Sequence, residues 1–558
     1  MTNKFSSGHH EVPGTVHLVE AGDSGAAHEH ASSPHRKDII LVPKPSNDPE
    51  DPLNWSQSRK YRCMVMVYVF VLGIGIGPTM VNSLLADITK DTGIPTGDLV
   101  QATGAFFLLL GWGALFWQPI ALSVGRRSVY LISTLLTIPL LVWMGYSKGT
   151  SEWYGHRVLM GLVDAPIECL PQITVSDLFF AHERGTFMSA YVFILYGSNF
   201  VAPIIAGWFN DAFGWRWTFW FGSMITALSF VILFFFMEET MYFRHTIEGE
   251  EVDETVTSAQ LEKGALDGDE KSTPTESSDS PTPPATATAA AVQERPISHK
   301  PWYAIADLRV FRLMDGRPRF KQAIQITYRP LIFIFQYPTT LWSGFMYGQA
   351  LCWYTVLNGT ASPVLSAPPY NWKSGLVGTI YVGPLLGSAF GTLISGILGD
   401  KFTIWMARRN KGIREPEQRL WLQLLAAPLI AAGLILWGVG AGRGIHWVGL
   451  AFGLLLMQLG CAMSSSISLS YSIDCFREIS GETVAGVTVI RNSIGFGISY
   501  ATTPWYTNMG LQNAFITAGM VAIGCCLTSL PMMYYGKACR RFSAKYYFKY
   551  LDMLNNRS

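Results

Sequence analysis

Charge is scarce in this chain: Asp, Glu, Lys and Arg make up only 15% of its 558 residues, against 49% that are hydrophobic. So little polar material cannot cover an ordinary water-soluble fold, and a bilayer is the solvent such a composition calls for. The charges nearly cancel at a formal +1, which by itself says nothing about partners; no nucleic-acid partner is expected. Cysteine is sparse too. The eight are scattered, as at Cys169, Cys352, Cys525 and Cys526, in neither a disulfide framework nor a metal-ligand spacing. Six of the eleven histidines fall in the first 36 residues, but irregularly within a polar stretch, so a solvated tail is expected rather than a metal site. A phosphate-binding loop is missing, which removes ATP as the obvious driving force. An enzyme is not expected, and neither is a cofactor. The first 60 residues are polar and contain no signal peptide; the first apolar run is long enough to span and to act as the anchor.

What the chain does have is long apolar runs. Crossing about 30 Å of hydrocarbon takes about 20 residues of helix. Twelve stretches qualify: 62–86, 99–121, 128–147, 154–179, 187–209, 216–237, 331–355, 375–398, 421–440, 447–473, 483–505 and 513–535. The predicted fold is therefore an all-α membrane protein of twelve transmembrane helices. Basic loops alternate with loops that are not basic. Gly125-Arg126-Arg127, His182-Glu183-Arg184, the run from Lys401 to Arg419 and the tail from Lys537 to Lys549 form the basic set, so both termini are expected to be cytoplasmic. The expected organisation is a disordered tail over 1–60, a six-helix half over 61–240, a largely disordered linker over 241–329, a second six-helix half over 330–536 and a tail over 537–558. Between Glu248 and Glu294 the linker is rich in Ser, Thr, Pro, Ala and acidic residues and cannot bury a core, while Trp302 to Tyr328 mixes aromatic and basic residues suited to the inner membrane surface.

Two carboxylates, Asp164 and Glu168, lie inside the fourth run. A charge at membrane depth is costly and usually marks a substrate or ion path. Arg157, Gly161, Asp164 and Glu168 are spaced by four, three and four residues, so they share one helical face, continued by Gln172. Pro166 and Pro171 should free backbone carbonyls beside the acids, where they could add ligands for a cation. The competing reading is a structural Asp164–Arg157 pair.

Several local runs resemble the major facilitator superfamily, and within it the twelve-span drug:proton antiporter group of fungi, polyamine and cation transporters included. They are Asp51-Pro52-Leu53-Asn54-Trp55-Ser56, Gly125-Arg126-Arg127, Arg157 with Gly161, Asp177-Leu178-Phe179-Phe180, His182-Glu183-Arg184-Gly185, Gly214-Trp215-Arg216-Trp217, Glu238-Glu239-Thr240, Arg414-Glu415-Pro416-Glu417 and Arg491-Asn492. Two departures stand out. The acidic and basic pair that the superfamily places between its second and third helices is Leu122-Ser123 here, although the second half keeps Gly399-Asp400-Lys401. The antiporter signature of the fifth helix reads Ala202-Pro203-Ile204-Ile205-Ala206-Gly207.

The resemblance implies two halves around a central cavity and a proton-coupled secondary transporter working by alternating access, with protons and a cationic or hydrophobic small molecule as partners. It also implies a monomer in the plasma membrane, with the vacuolar membrane as the alternative. The expected direction is export; import of a small cation such as a polyamine, or a non-transporting sensor, are the alternatives. Asp164, Glu168 and Arg157 are the candidates for proton coupling and cation binding, and Asn199, Trp342, Tyr347, Gln458, Arg491 and Asn492 for the cavity. Gly125, Arg126, Arg127, Pro203, Gly207, Asp400 and Lys401 are the gating candidates. Asn358-Gly359-Thr360, in an expected outward loop, is a candidate glycosylation site.

Overall fold

The computed structural model describes residues 12–17, 48–242, 300–301, 309, 320–410, 413–476 and 479–555. Most of the linker therefore lies outside the described residues, as does much of the stretch expected along the inner membrane surface. Helices dominate. The first half comprises α1 (Gln57–Thr79), α2 (Leu85–Thr92), α3 (Thr96–Val124), α4 (Arg126–Tyr146), α5 (Thr150–Asp164), α6 (Pro166–Leu178), α7 (Ala181–Phe213) and α8 (Trp215–Phe236). The second comprises α9 (Phe320–Gln336), α10 (Pro338–Ser366), α11 (Ser374–Thr379), α12 (Val382–Arg409), α13 (Gln423–Gly442), α14 (Trp447–Cys475), α15 (Ser480–Met509), α16 (Leu511–Leu527) and α17 (Ser529–Asn555). Ten helical segments among the described residues are long and apolar enough to cross a membrane. The helices α10 and α15, of 29 and 30 residues, are long enough but carry more polar side chains.

Prolines account for two of the places where helices depart from the expected spans. The fourth run is two helices, because Pro166 has no N–H to give Leu162 and starts α6 afresh. Tyr337 precedes Pro338 and is extended (φ −118°, ψ 91°), so α9 ends at Gln336 and α10 begins at Pro338. From there α10 runs to Ser366, eleven residues past the expected end of its span at 355. At the C-terminus, α17 carries helix through the expected tail.

The described segments nearest the two chain ends and those flanking the linker lie at one end of the bundle, the termini end. Tyr242 donates to Asp48 (3.2 Å), and Arg62 donates to the Pro301 carbonyl (2.5 Å). The N-terminal tail, expected to lack structure, contributes a two-residue strand, β1 (Val16–His17). It pairs antiparallel with β2 (Ile413–Arg414). Arg540 holds the segment in place, donating to the Pro13 carbonyl (2.5 Å) while its guanidinium pairs with Glu417 (2.7 Å).

Where the first half lacks an acid at Leu122-Ser123, the structure supplies acids from further along the chain. Arg126 pairs with Asp177 at 2.6 Å. Glu239 accepts the first two backbone N–H groups of α4, from Arg126 (3.0 Å) and Arg127 (3.1 Å), where the helix dipole favours an anion. Gly125 makes this possible: its φ of 107° is open to glycine, and a Cβ there would meet the Glu239 carboxylate. Arg127 donates to the Phe234 carbonyl at 2.7 Å. In the second half Lys401 is exposed, and the Asp400 side chain lies outside the described residues.

A central cavity between the two halves

Side chains from α1, α3, α5, α6 and α7 on one side, and from α10, α14 and α15 on the other, enclose a cavity of about 810 Å³ counted out to its mouth. Asp164, Glu168 and Asn199 line it from the first half, and Tyr347, Gln458 and Arg491 from the second. Its apolar wall includes Phe106, Phe107, Leu110, Tyr196 and Tyr354.

The two carboxylates have different partners. Glu168, 5% exposed, forms an ion pair with Arg491, which is 6% exposed, so one buried pair joins α6 to α15 across the two halves. Arg491 also donates to the Tyr347 hydroxyl (2.9 Å) and to Asn492 Oδ1 (3.2 Å), with its guanidinium carbon 4.7 Å from the Tyr347 ring centroid. These contacts hold the cation in one orientation, which is what makes a buried pair tolerable. Asp164 accepts from Thr137 at 2.5 Å through Oδ1, while its Oδ2 has no protein partner. Gln458 is likewise buried with its Oε1 unpartnered. Each of the two walls therefore carries a buried acceptor without a protein partner.

Arg157 sits behind this wall. It is fully buried, donates to the Pro78 carbonyl (2.9 Å) and lies 5.8 Å from the Phe106 ring centroid. No ion pair between Arg157 and Asp164 is among those of the described residues, contrary to the simple structural-pair reading. The kink does not offer its carbonyls to a cation either. Trp117 Nε1 donates to the Leu162 carbonyl that Pro166 frees (2.7 Å), and Tyr191 donates to the Ile167 carbonyl that Pro171 frees (2.8 Å). Both are satisfied by the protein, as apolar surroundings require.

Three further expectations change. Trp342 is not at the cavity: it donates to Thr528 (3.1 Å) and packs edge-on against Tyr471 in a separate cluster towards the termini end. Asn492 is fully buried beside Arg491 and against α3 at Gly111, so it supports the ion pair rather than lining the cavity. Asn358 lies inside α10 and is 6% exposed, so a glycosylating enzyme cannot reach it in the folded chain. The long reach of α10 past its expected end is the cause. Pro203 and Gly207 lie where the halves meet at the end of the bundle opposite the termini: a Cβ on Gly207 would meet the Ser374 carbonyl, and one on Gly378 would meet that of Pro203.

A family profile, the Major Facilitator Superfamily, matches residues 65–500. The chain belongs to the major facilitator superfamily. An MFS-type transporter of Schizosaccharomyces pombe, C1271.10c, is 31% identical over 557 residues, covering 98% of this chain and 95% of that protein. Protein HOL1 of Saccharomyces cerevisiae is 25% identical, with 97% of each chain covered. The efflux pump radE of Floropilus chiversii is 24% identical over 89% of this chain and 85% of its own. In fold, the chain is similar to the partially occluded inward-open xylose transporter XylE of E. coli (TM-score 0.54, 13% identity, 85% of this chain and 98% of that one). The superfamily member described here is a membrane transporter of small molecules, not an enzyme.

Proposed function

We propose that this transporter is a proton-coupled secondary carrier of organic cations or hydrophobic small molecules, working by alternating access between two six-helix halves. The observation that carries the reading is the buried Glu168–Arg491 pair, which joins the halves inside the cavity. Protonating Glu168 removes the charge that holds Arg491, and a cationic substrate beside it competes with Arg491 for that charge. Either event therefore loosens the contact between halves, so proton and substrate act on one element. Asp164 and Gln458 each hold a buried, unpartnered acceptor in opposite walls, and the aromatic rings of Tyr196, Tyr347 and Tyr354 suit an organic cation. Arg157 acts from behind the wall, by setting the field at Asp164.

In this reading the polar α10 and α15 complete twelve spans. The basic loops put the termini end in the cytoplasm, the protein works as a monomer, and the plasma membrane is favoured over the vacuole. Similarity to a named efflux pump favours export. The unpaired Asp164 oxygen gives a specific reason to keep a second reading, import of a small polyamine-like cation.

The test is purified protein in liposomes with an imposed proton gradient of either sign, comparing wild type with Glu168→Gln. The expected result is gradient-driven movement of a cationic dye outward, or of a polyamine inward, in wild type, and loss of the pH dependence in the variant. An unchanged pH dependence would overturn the proton role of Glu168.

A further inference from the structure

At the end opposite the termini the two halves are joined by a compact polar seam. Asp87 Oδ2, in α2, accepts from Asn210 Nδ2 of α7 (2.6 Å) and from the Ser374 hydroxyl at the start of α11. The first two residues belong to one half and the third to the other. Around this point Asp211 accepts from the Gly375 backbone N–H (3.0 Å), Trp208 donates to Thr379 (3.0 Å), and Ser362 accepts from the Ala86 N–H (3.2 Å). The backbones of α7 and α11 approach each other so closely at Gly207, Gly375 and Gly378 that a Cβ at any of them would strike the opposite segment.

We propose that Asp87 is the latch of a gate that closes the cavity at this end, a positioning residue whose carboxylate sets how long the gate stays shut. Three features of the seam favour a contact made to be broken. Its named contacts are hydrogen bonds between polar groups, which water can replace. Asp87 and Asn210 are only partly buried and Asp211 is exposed, so water can take over their hydrogen bonds as the halves part. The glycines, finally, let the backbones meet without interlocking side chains that would have to be unthreaded. Along α3 and α15, by contrast, the halves are packed side chain to helix, as where Asn492 and Ser499 fill the faces of Gly111 and Gly104.

A single carboxylate oxygen that receives a donor from each half is the smallest change that uncouples them. Removing it leaves Asn210 and Ser374 with no shared acceptor, while the chain's packing elsewhere is untouched. Lys90, Asp91, Arg216 and Lys373 are the other charged side chains on the adjoining turns, and Arg216 pairs with Asp91 at 3.1 Å, away from the latch.

The proposal rests on the alternating-access reading above, and its test needs neither substrate nor proton gradient. Spin labels go at Ser151→Cys, in the first turn of α5, and Arg443→Cys, in the turn after α13, both exposed and both at this end, one in each half. The part-exposed Cys169, Cys525 and Cys539 are replaced by Ser. Pulsed dipolar spectroscopy is then recorded for the unmutated latch, Asp87→Ala, Ser374→Ala and Asp87→Asn. In Asp87→Ala the ratio of a longer-distance to the short-distance population is expected to rise about tenfold or more, the size expected for losing hydrogen bonds to a charged acceptor. Ser374→Ala, which leaves Asp87 intact, should move the same way by less, and Asp87→Asn should restore part of the short-distance population. Unchanged distance distributions in both alanine variants, in protein that elutes as a single folded species, would overturn the latch. If Glu168→Gln keeps a normal pH dependence while Asp87→Ala still opens this end, the proton reading fails and the gate stands.

Discussion

Replacing Arg491 by Met tests the central ion pair most directly. The guanidinium is buried, with Glu168, Tyr347 and Asn492 as its partners. Removing it leaves the Glu168 carboxylate unpaired in a low-dielectric cavity, and breaking one side of a buried pair costs about 3–5 kcal/mol. Glu168→Gln alone, which keeps shape and removes the charge, should cost less, because a guanidinium with two other acceptors is still partly satisfied. The double variant removes both charges at once and should recover much of the loss, with a coupling energy of about 2–3 kcal/mol. Melting of the purified protein in detergent, followed by the emission of its 18 tryptophans, reads all four forms. If the two single variants add to the double within about 0.5 kcal/mol, the pair is not an energetic unit and the reasoning fails.

Glu238 provides a pH test outside the spans. Burial pulls its carboxyl upward, but Arg59 foremost, then Lys300 and Arg62, outweigh this and hold it below its usual value of 4.5. A lowered carboxylate stabilises the fold above its unfolded-state value and loses that contribution as pH falls through the folded one. The melting gap between wild type and Glu238→Gln should therefore be widest near neutral pH and close in acid below about 4.5; a gap that widens in acid would contradict the assignment. Gly125→Ala must adopt a φ of 107° with its methyl against Glu239, and should lower stability by about 1–3 kcal/mol in the same melting assay. Endoglycosidase treatment of protein made in a fungal host should leave its gel mobility unchanged, because Asn358 is enclosed in α10.

Much of the scaffold was legible before any coordinates, because apolar runs of membrane length and a short list of family-like turns are local signals. Asp164 and Glu168 stood out for the same reason: a charge in an apolar run is conspicuous, and helical spacing put both on one face. The partners of those acids were not legible. Arg491 is 323 positions from Glu168, and Thr137 lies on a different helix from Asp164, so no period in the chain connects them. The kink carbonyls looked available because local rules say only that Pro166 and Pro171 free them. Which side chain then claims each one, Trp117 or Tyr191, depends on how separate helices pack. Trp342 and Asn358 were misplaced by a single cause, since an error in where α10 begins and ends shifts everything assigned to its depth. Phe106 and Phe107 were missed because nothing marks one aromatic in an apolar helix from another until a cavity opens beside it.

The docked N-terminal strand also bears on how the molecule is made. Pro13 accepts its hydrogen bond from Arg540, 527 positions later in the chain. During synthesis the first segment therefore waits, undocked, until nearly the whole protein has emerged and the last helix has been placed. Closing of β1 onto β2 and of Pro13 onto Arg540 is then a late event, and it can occur only in a chain whose second half is already assembled. Protease resistance around Gly14 would thus mark finished molecules, and distinguish them from chains that stopped short of their final helix.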